Sequence, residues 1–343
     1  MRWLAAGLVL TAACGGDERP SARAPLRTTS PPSSSVIFRP GPDEAARSGD
    51  ALDAGRPALA PPLPQPEARF GPGSVKPGDP HPFRLAVALR ALRASASGAK
   101  IATMLSLVPE VVEATTKTGV DPFAHGEWLL VYGAQAEVPG ANANVLRHGK
   151  PDAEVTKALE AAGFEARDGG ASGGVQASLY GVKEPLLRPQ AATLALVPAD
   201  RAADLASALK PAIDPGTKAG ELARAFLAEP AKVLRVLPSE VMNANVVAKP
   251  ASDGGLDLSA DAACGDAAGC AAIATKLTEY LGGQNSVMVR MVTRSLFSGL
   301  VIKASGARLE ATLHASPDQV DAILSLLRAQ LGLPPPATPP SRP

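Results

Sequence analysis

Aromatic side chains make up only 3% of the chain, and that scarcity weighs against several functions at once. Sugar platforms and base-stacking surfaces are built from Trp, Tyr and Phe, whose flat faces supply the contact. Net charge is nearly absent too. The 34 Lys and Arg against 33 Asp and Glu leave a formal +1 over 343 residues. No basic excess marks a nucleic-acid-binding face, and no acidic block marks a basic partner. No run reaches the roughly 20 apolar residues that cross a bilayer as a helix. The histidines are His81, His125, His148 and His314, and no two lie three or four apart, so none forms a helical metal pair. A Gly-x-Ser-x-Gly elbow, a His-Glu-x-x-His pair and a phosphate loop ending in Gly-Lys-Ser/Thr are all missing. Catalytic residues, metal ligands and cofactors are therefore assigned as none.

The near-misses fail on spacing. Ser97-Gly98-Ala99-Lys100 and Lys117-Thr118-Gly119 have the form of penicillin-binding motifs, but they lie too close together and lack the Ser-x-Asn element between them. Ser207-Ala208-Leu209-Lys210 repeats the first pattern in a predicted helix, which shows how readily this composition produces it. Gly169, Gly170, Gly173 and Gly174 precede a predicted strand, whereas a nucleotide cradle opens into a helix. His125 and His148 could meet across adjacent strands, and turn or strand-end roles explain them as well. His314 is expected to be solvated. Asp257 and Asp261 are a candidate carboxylate pair near a strand edge, but acid-base work needs burial that splits their pKa values. Trp128 and Tyr132, four apart, share one strand face. Core packing is the simple reading, and a patch facing a protein partner is the functional one.

The first 14 residues carry more information. Arg2 supplies a positive start, Leu4 to Leu10 an apolar core, and Ala12-Ala13 small residues before Cys14. These are the parts of a secretory signal. The ending Leu10-Thr11-Ala12-Ala13-Cys14 resembles the lipobox of bacterial lipoproteins, with Thr11 where an aliphatic residue is usual. The resemblance implies cleavage before Cys14, acylation there, and a membrane partner reached through lipid. Gly15 rather than aspartate follows, which favours the outer over the inner membrane. Several acyl chains anchor stably where one is marginal.

An exported chain meets an oxidising compartment, so a disulfide between the remaining Cys264 and Cys270 is expected. A redox pair or metal ligands are the other readings, but the spacing is not Cys-x-x-Cys and no histidine is near. Six residues of helix rise about 9 Å, beyond disulfide reach. A bond thus predicts a non-helical loop from Cys264 to Cys270.

Composition divides the chain. Residues 1–13 read as the signal and 14–80 as a disordered Pro/Ser/Ala-rich tether, a coil spanning on the order of 45 Å. Residues 81–214 and 215–332 read as two related α+β halves, each an antiparallel sheet with helices on one face. Residues 333–343 form a Pro-rich tail. The sharpest unit is a hairpin, Gly299 to Ala304 and Leu309 to Leu313, followed by a helix. Ser316 caps that helix with Pro317 and Gln319, and Val320, Ile323, Leu324, Leu327 and Leu331 form its apolar stripe. Other predicted strands are Leu85 to Leu89, Trp128 to Tyr132, Asn144 to Arg147, Val175 to Tyr180, Thr193 to Val197, Val233 to Leu237, Val241 to Val247 and Gly255 to Ser259. Predicted helices are Gly98 to Val108, Pro109 to Thr118, Pro151 to Ala162, one capped by Asp200, and one near Ala271 to Leu281. Asn142-Ala143-Asn144-Val145 recurs as Asn243-Ala244-Asn245-Val246 and suggests the duplication.

The stretch Thr118-Gly119-Val120-Asp121-Pro122-Phe123-Ala124-His125 leads into a strand, and Arg147-His148-Gly149-Lys150 leads into a helix. Both resemble an uncharacterised group of myxobacterial envelope proteins with repeated strand-strand-helix units. The likeness implies architecture and no chemistry. The function expected is a non-enzymatic envelope module that binds a protein partner or supports the envelope. A carrier of an apolar ligand between sheet and helices and an enzyme with an unrecognised site are the alternatives.

Overall fold

The structure is a computed structural model that describes residues 83–133, 142–166, 175–179, 182–188, 191–197, 216–228, 230, 238–282 and 299–333. The predicted leader, Cys14, the tether, the glycine loop 169–174, the helix capped by Asp200, the strand 233–237 and most of the tail lie outside those residues.

The chain folds as α+β around one antiparallel sheet of twelve strands. In the first half the elements are β1 (Phe83–Val87), α1 (Leu89–Ala94), α2 (Ala96–Leu105), α3 (Pro109–Thr118), α4 (Pro122–His125), β2 (Gly126–Gly133), β3 (Asn142–His148), α5 (Asp152–Ala161), β4 (Glu165–Ala166), β5 (Val175–Leu179), β6 (Val182–Leu187) and β7 (Thr193–Leu196). In the second they are β8 (Ala223–Leu227), β9 (Val241–Pro250), β10 (Leu256–Cys264), α6 (Ala267–Gly282), β11 (Val301–Ser305), β12 (Arg308–Ala315) and α7 (Pro317–Gln330). The spatial order is β11-β12-β10-β9-β8-β1-β2-β3-β7-β6-β5-β4. Thus β8 and β1 pair at the centre, and the sheet runs without a break through the boundary expected near residue 214.

Outward from that centre, the two sides repeat each other. From Leu85 on β1 the register steps to Val131, Asn144, Leu196 and Leu186 on β2, β3, β7 and β6. From Ala225 on β8, paired with Leu85, it steps to Val246, Ala260, Ala311 and Ile302 on β9, β10, β12 and β11. From Val131 onward the sequence shift between matched positions holds to within one residue. A bulge recurs at the matched place. Gly126 pairs with His148 and Trp128 with Arg147, skipping Glu127. Val241 pairs with Cys264 and Asn243 with Ala263, skipping Met242. One extra residue on a strand bends it and re-aims its side chains locally.

The Asn-Ala-Asn-Val copies do not mark this correspondence. One lies on β3 and the other on β9, whose counterpart is β2. The β9 copy is followed by another strand rather than by a helix.

Local rules explain most element ends. Ser316 and Gln319 form a capping box on α7, with Ser316 N–H donating to Gln319 Oε1 at 2.8 Å. Pro109 opens α3 at a position where a missing N–H does no harm. Asp121 Oδ1 caps α4 by accepting from Phe123 N–H at 2.7 Å.

One sheet face carries the main core. Phe83, Leu85, Val87, Leu129, Val131, Ala225 and Leu227 pack there with Leu89, Leu92, Phe123 and Ile273 from helices. Helix α5 adds Val155 and Leu159 over Leu194 and Leu196, and α7 adds Val320, Leu324 and Leu327 beside Ala315. Each such fully buried Leu, Val or Phe contributes about 1.5–3 kcal/mol. The opposite face has its own buried cluster of Ala86, Leu130, Ala143, Val145, Ala195, Val197 and Phe226, all from strands or the residue just after one. That cluster covers β8, β1, β2, β3 and β7 and, among the described residues, goes no further into the second half.

Candidate functional site

On β10, β12 and β11 the face opposite the helices is polar and open, and β9 joins it at its end through exposed Lys249, while Asn243 and Val247 on the same face are buried. Alternation explains it, because side chains two apart share a face. Leu256, Leu258, Ala260 and Ala262 of β10 lie on the helix side, so Asp257, Ser259 and Asp261 lie on the other. Register then sets the rows. Lys249 faces Asp257, which faces His314. Val247 faces Ser259, then Thr312 and Val301. Asn245 faces Asp261, then Glu310 and Lys303. Lys249, Asp257, Ser259, Thr312, His314, Glu310 and Lys303 lie on the solvent side and are exposed, while Asn245 and Asp261 are half-buried. Asp261 and Glu310 stand directly opposite one another, and like charges so placed destabilise a sheet slightly.

At the inner border of this face lies a buried ion pair. Glu221 and Arg224 have side-chain exposures of 3% and 9%. Arg224 Nε donates to Glu221 Oε2 at 3.0 Å, and its Nη2 donates to Oε1. Arg224 Nη1 also reaches Asn245 Oδ1 at 3.4 Å, and Lys218 N–H donates to Glu221 at 2.9 Å. Burial works against the carboxylate, but the hydrogen bonds from Arg224 and Lys218, with the arginine charge, hold Glu221 below its ordinary value. The short Glu-x-x-Arg spacing of this pair was its only trace in the sequence.

At the outer end, His314 sits between two carboxylates. Its Nδ1 is 2.8 Å from Asp257 Oδ1, and its Nε2 is 3.1 Å from Asp253 Oδ2. The hydrogen bond to Asp257, joined by the one to Asp253 and by both charges, raises the imidazole above its ordinary value. His314 is exposed as expected, but it is held rather than free. Asp257 is therefore engaged with His314 and is not paired with Asp261. Strand β10 is interior to the sheet, so these carboxylates do not mark an edge.

His148 in the first half is the opposite case. It is 1% exposed, and its Nδ1 has no hydrogen-bond partner. Burial lowers its pKa, against the nearby Asp152 charge. His125 is close, since Gly149 N–H donates to its carbonyl at 3.0 Å, but its Nδ1 accepts from Asp121 N–H at 3.1 Å instead. Among the described residues no group of three or more His, Cys, Asp or Glu side chains is arranged to hold a metal ion.

Cys264 and Cys270 are disulfide-bonded with Cα atoms 5.6 Å apart. The intervening chain differs from the expected loop. Cys264 ends β10 and Cys270 lies in the first turn of α6, which starts at Ala267. Only Gly265 and Asp266 turn the chain, and Asp266 Oδ1 accepts from Gly269 N–H at 2.6 Å. The Cα distance stays short because the helix covers only part of the span.

Trp128 is half-buried and packs against the second apolar cluster. Tyr132 on the same strand pairs through its backbone with Arg84 and Ala143. Ser97 donates its hydroxyl to Gly254 O, while Lys100 pairs with Asp321 at 2.7 Å. Lys117 pairs with Glu113 along its own helix. Neither motif assembles a nucleophile and its base.

Among the described residues no helix is long and apolar enough to cross a membrane. No family model and no curated protein matches the chain. Solved structures of TP0453 are similar at low level. Crystal form III gives a TM-score of 0.45 at 9% identity, covering 78% of this chain and 99% of that one. Crystal form I gives 0.43 at 10% identity, covering 78% and 97%. At these values the likeness assigns neither family nor role.

Proposed function

We propose that the chain is an exported envelope lipoprotein, acylated at Cys14 and anchored in the outer membrane, that binds a protein partner through the open polar face of its second half. The observation that carries the binding half of this reading is the contrast between sheet faces: β10, β12 and β11, with Lys249 at the end of β9, present charged and hydroxyl side chains to solvent. The address rests on the run from Arg2 to Cys14, and a disulfide at Cys264–Cys270 suits an oxidising compartment. The non-enzymatic reading is supported by side chains that are occupied with one another: Ser97 with a carbonyl, Lys100 with Asp321, His314 with two carboxylates. The same reading takes the two halves as copies of one unit, supported by their matched register and bulge.

The address is tested by the intact mass of the native product. Added hydrocarbon on a chain beginning at Cys14, abolished together with membrane fractionation in Cys14→Ser, is the expected result. An unmodified product beginning upstream sinks it. The surface is tested with photo-crosslinkers at Ser259 and Thr312, and at exposed Lys157 on α5 as a control, in envelope preparations. Capture of one discrete protein from the first two positions alone is expected. Equal labelling from all three overturns it.

A further inference from the structure

We propose that His314 is a proton-operated clasp that holds the β9–β10 hairpin onto β12 and α2. This goes beyond the binding surface and does not depend on it. The hairpin 251–255 has little sequence of its own to keep it in place, being Ala-Ser-Asp-Gly-Gly. Gly254 has a φ of +87°, a backbone state that side chains disfavour. Gly255 packs so closely that a Cβ there would lie 2.2 Å from the carbonyl oxygen of Ala315, the residue after His314.

Two backbone bonds close the turn itself, Ala251 N–H to Gly255 O and Gly254 N–H to Ala251 O, each at 3.1 Å, and three side chains, Ser97, Asp253 and His314, tie it to its surroundings. Ser97 on α2 donates to Gly254 O. Asp253 Oδ1 accepts from Gly255 N–H at 2.8 Å. Asp253 Oδ2 then faces His314 Nε2, while Nδ1 of the same ring faces Asp257 on β10. Ionised carboxylates only accept hydrogen bonds, so both contacts are favourable together only when both ring nitrogens carry hydrogen. A neutral ring has one N–H. Its other nitrogen then presents a lone pair to a carboxylate, and one arm of the clasp opens.

The surrounding charges leave the ring to these two acids. Lys249 lies across from Asp257 on β9 and Thr312 lies next on the same face of β12, with Glu310 beyond it. Gly299 adjoins the His314 carbonyl. In the first turn of α7 the acidic residue is Asp318. Lys249 is Asp257's register partner, and its charge acts on Glu221. The clasp is therefore closed below the ordinary histidine value and opens as pH rises through the raised one. At the acid end it weakens as pH falls through the lowered value of Asp253, which the Gly255 N–H holds down first and His314 second.

The test is NMR titration of the imidazole in the full chain, with hydrogen exchange at the Gly254 and Gly255 amides. We expect His314 to titrate above the ordinary value, and to fall toward it in both Asp253→Asn and Asp257→Asn. Protection of the two amides, corrected for intrinsic exchange, should drop at least about threefold between about pH 5 and about pH 8. In His314→Gln the protection should be low and independent of pH. Titration at the ordinary value, or protection that ignores pH in the wild type, overturns the clasp. Asp253→Asn, which keeps the histidine and loses only one arm, tests the same point should His314→Gln fail to fold.

Discussion

The second faces of the two halves correspond position for position and differ in character. Leu130, Ala143, Val145, Ala195 and Val197 of the first half are matched by Asn245, Ser259, Asp261, Glu310 and Thr312 of the second. The first set is buried and apolar, and the second is polar and open to solvent to differing degrees. One backbone plan thus supports both a sheet covered on two faces and a sheet open on one, which antiparallel strands allow. The difference shows that the covered face is a property of side chains and not of topology.

Exchanging matched residues should break the comparison most sharply. Val145 is 0% exposed, so Val145→Asp puts a carboxylate into a packed apolar layer. We expect a loss of at least about 4 kcal/mol, or no folded protein, by urea denaturation. The reciprocal Asp261→Val should change stability by less than about 0.5 kcal/mol. Similar losses from both would show that the two faces are equally covered.

The next effect lies at the border between the faces. Arg224→Met leaves Glu221 buried without its partner and should destabilise by about 3 kcal/mol. Because the folded Glu221 titrates below its unfolded value, the pair's stability is present above the unfolded value and is lost as pH falls through the folded one. Urea midpoints measured between about pH 3 and about pH 7 should therefore converge for wild type and variant at the acid end.

The disulfide sharpens the correspondence itself. By register His148 is the counterpart of Cys264. Val155 is the counterpart of Cys270, since each donates its N–H to the residue preceding its helix, Pro151 or Asp266. His148→Cys with Val155→Cys should form a bond, seen as loss of free thiol in the folded chain. Persistent thiols would mean that the halves diverge here. Cys264→Ser with Cys270→Ser should cost about 2 to 2.5 kcal/mol in the chain-entropy account.

The smallest effect separates the two histidines by sign. Buried His148 titrates below its ordinary value, so its contribution is present above that value and lost as pH falls through the folded one. His314 titrates above, so its contribution is present in acid and lost as pH rises. His148→Gln should flatten the acid-side loss of stability, and His314→Gln should flatten the alkaline-side loss. Thermal midpoints from about pH 5 to about pH 8 check both, and slopes of equal sign would contradict the contrast.

Much of this was legible in the residues. The alternation Leu256-Asp257-Leu258-Ser259 marks a strand wet on one face, whereas Trp128-Leu129-Leu130-Val131 runs apolar through both, as a doubly buried strand does. The capping box at Ser316 placed α7 correctly, and Pro109 placed α3. Strand β8 is hidden in the sequence because Ala223-Arg224-Ala225-Phe226-Leu227 is short and carries an arginine that only Glu221 explains. The repeated Asn-Ala-Asn-Val misleads because a four-residue identity carries no register, while the matched strands share pairing and bulge and almost no letters. His314 looks free in the sequence because its two partners lie far back in the chain.

What the residues determine alone is local. They set strand periodicity, helix ends and the polar or apolar character of each face, because these depend on backbone preferences and side chains a few positions apart. Tertiary structure decided that β1 and β8 join the halves, that one second face is covered while the other is open, and that His314 meets Asp253 and Asp257. Such contacts bring together groups distant in sequence, and their free energy exists only once the whole sheet has fixed its register.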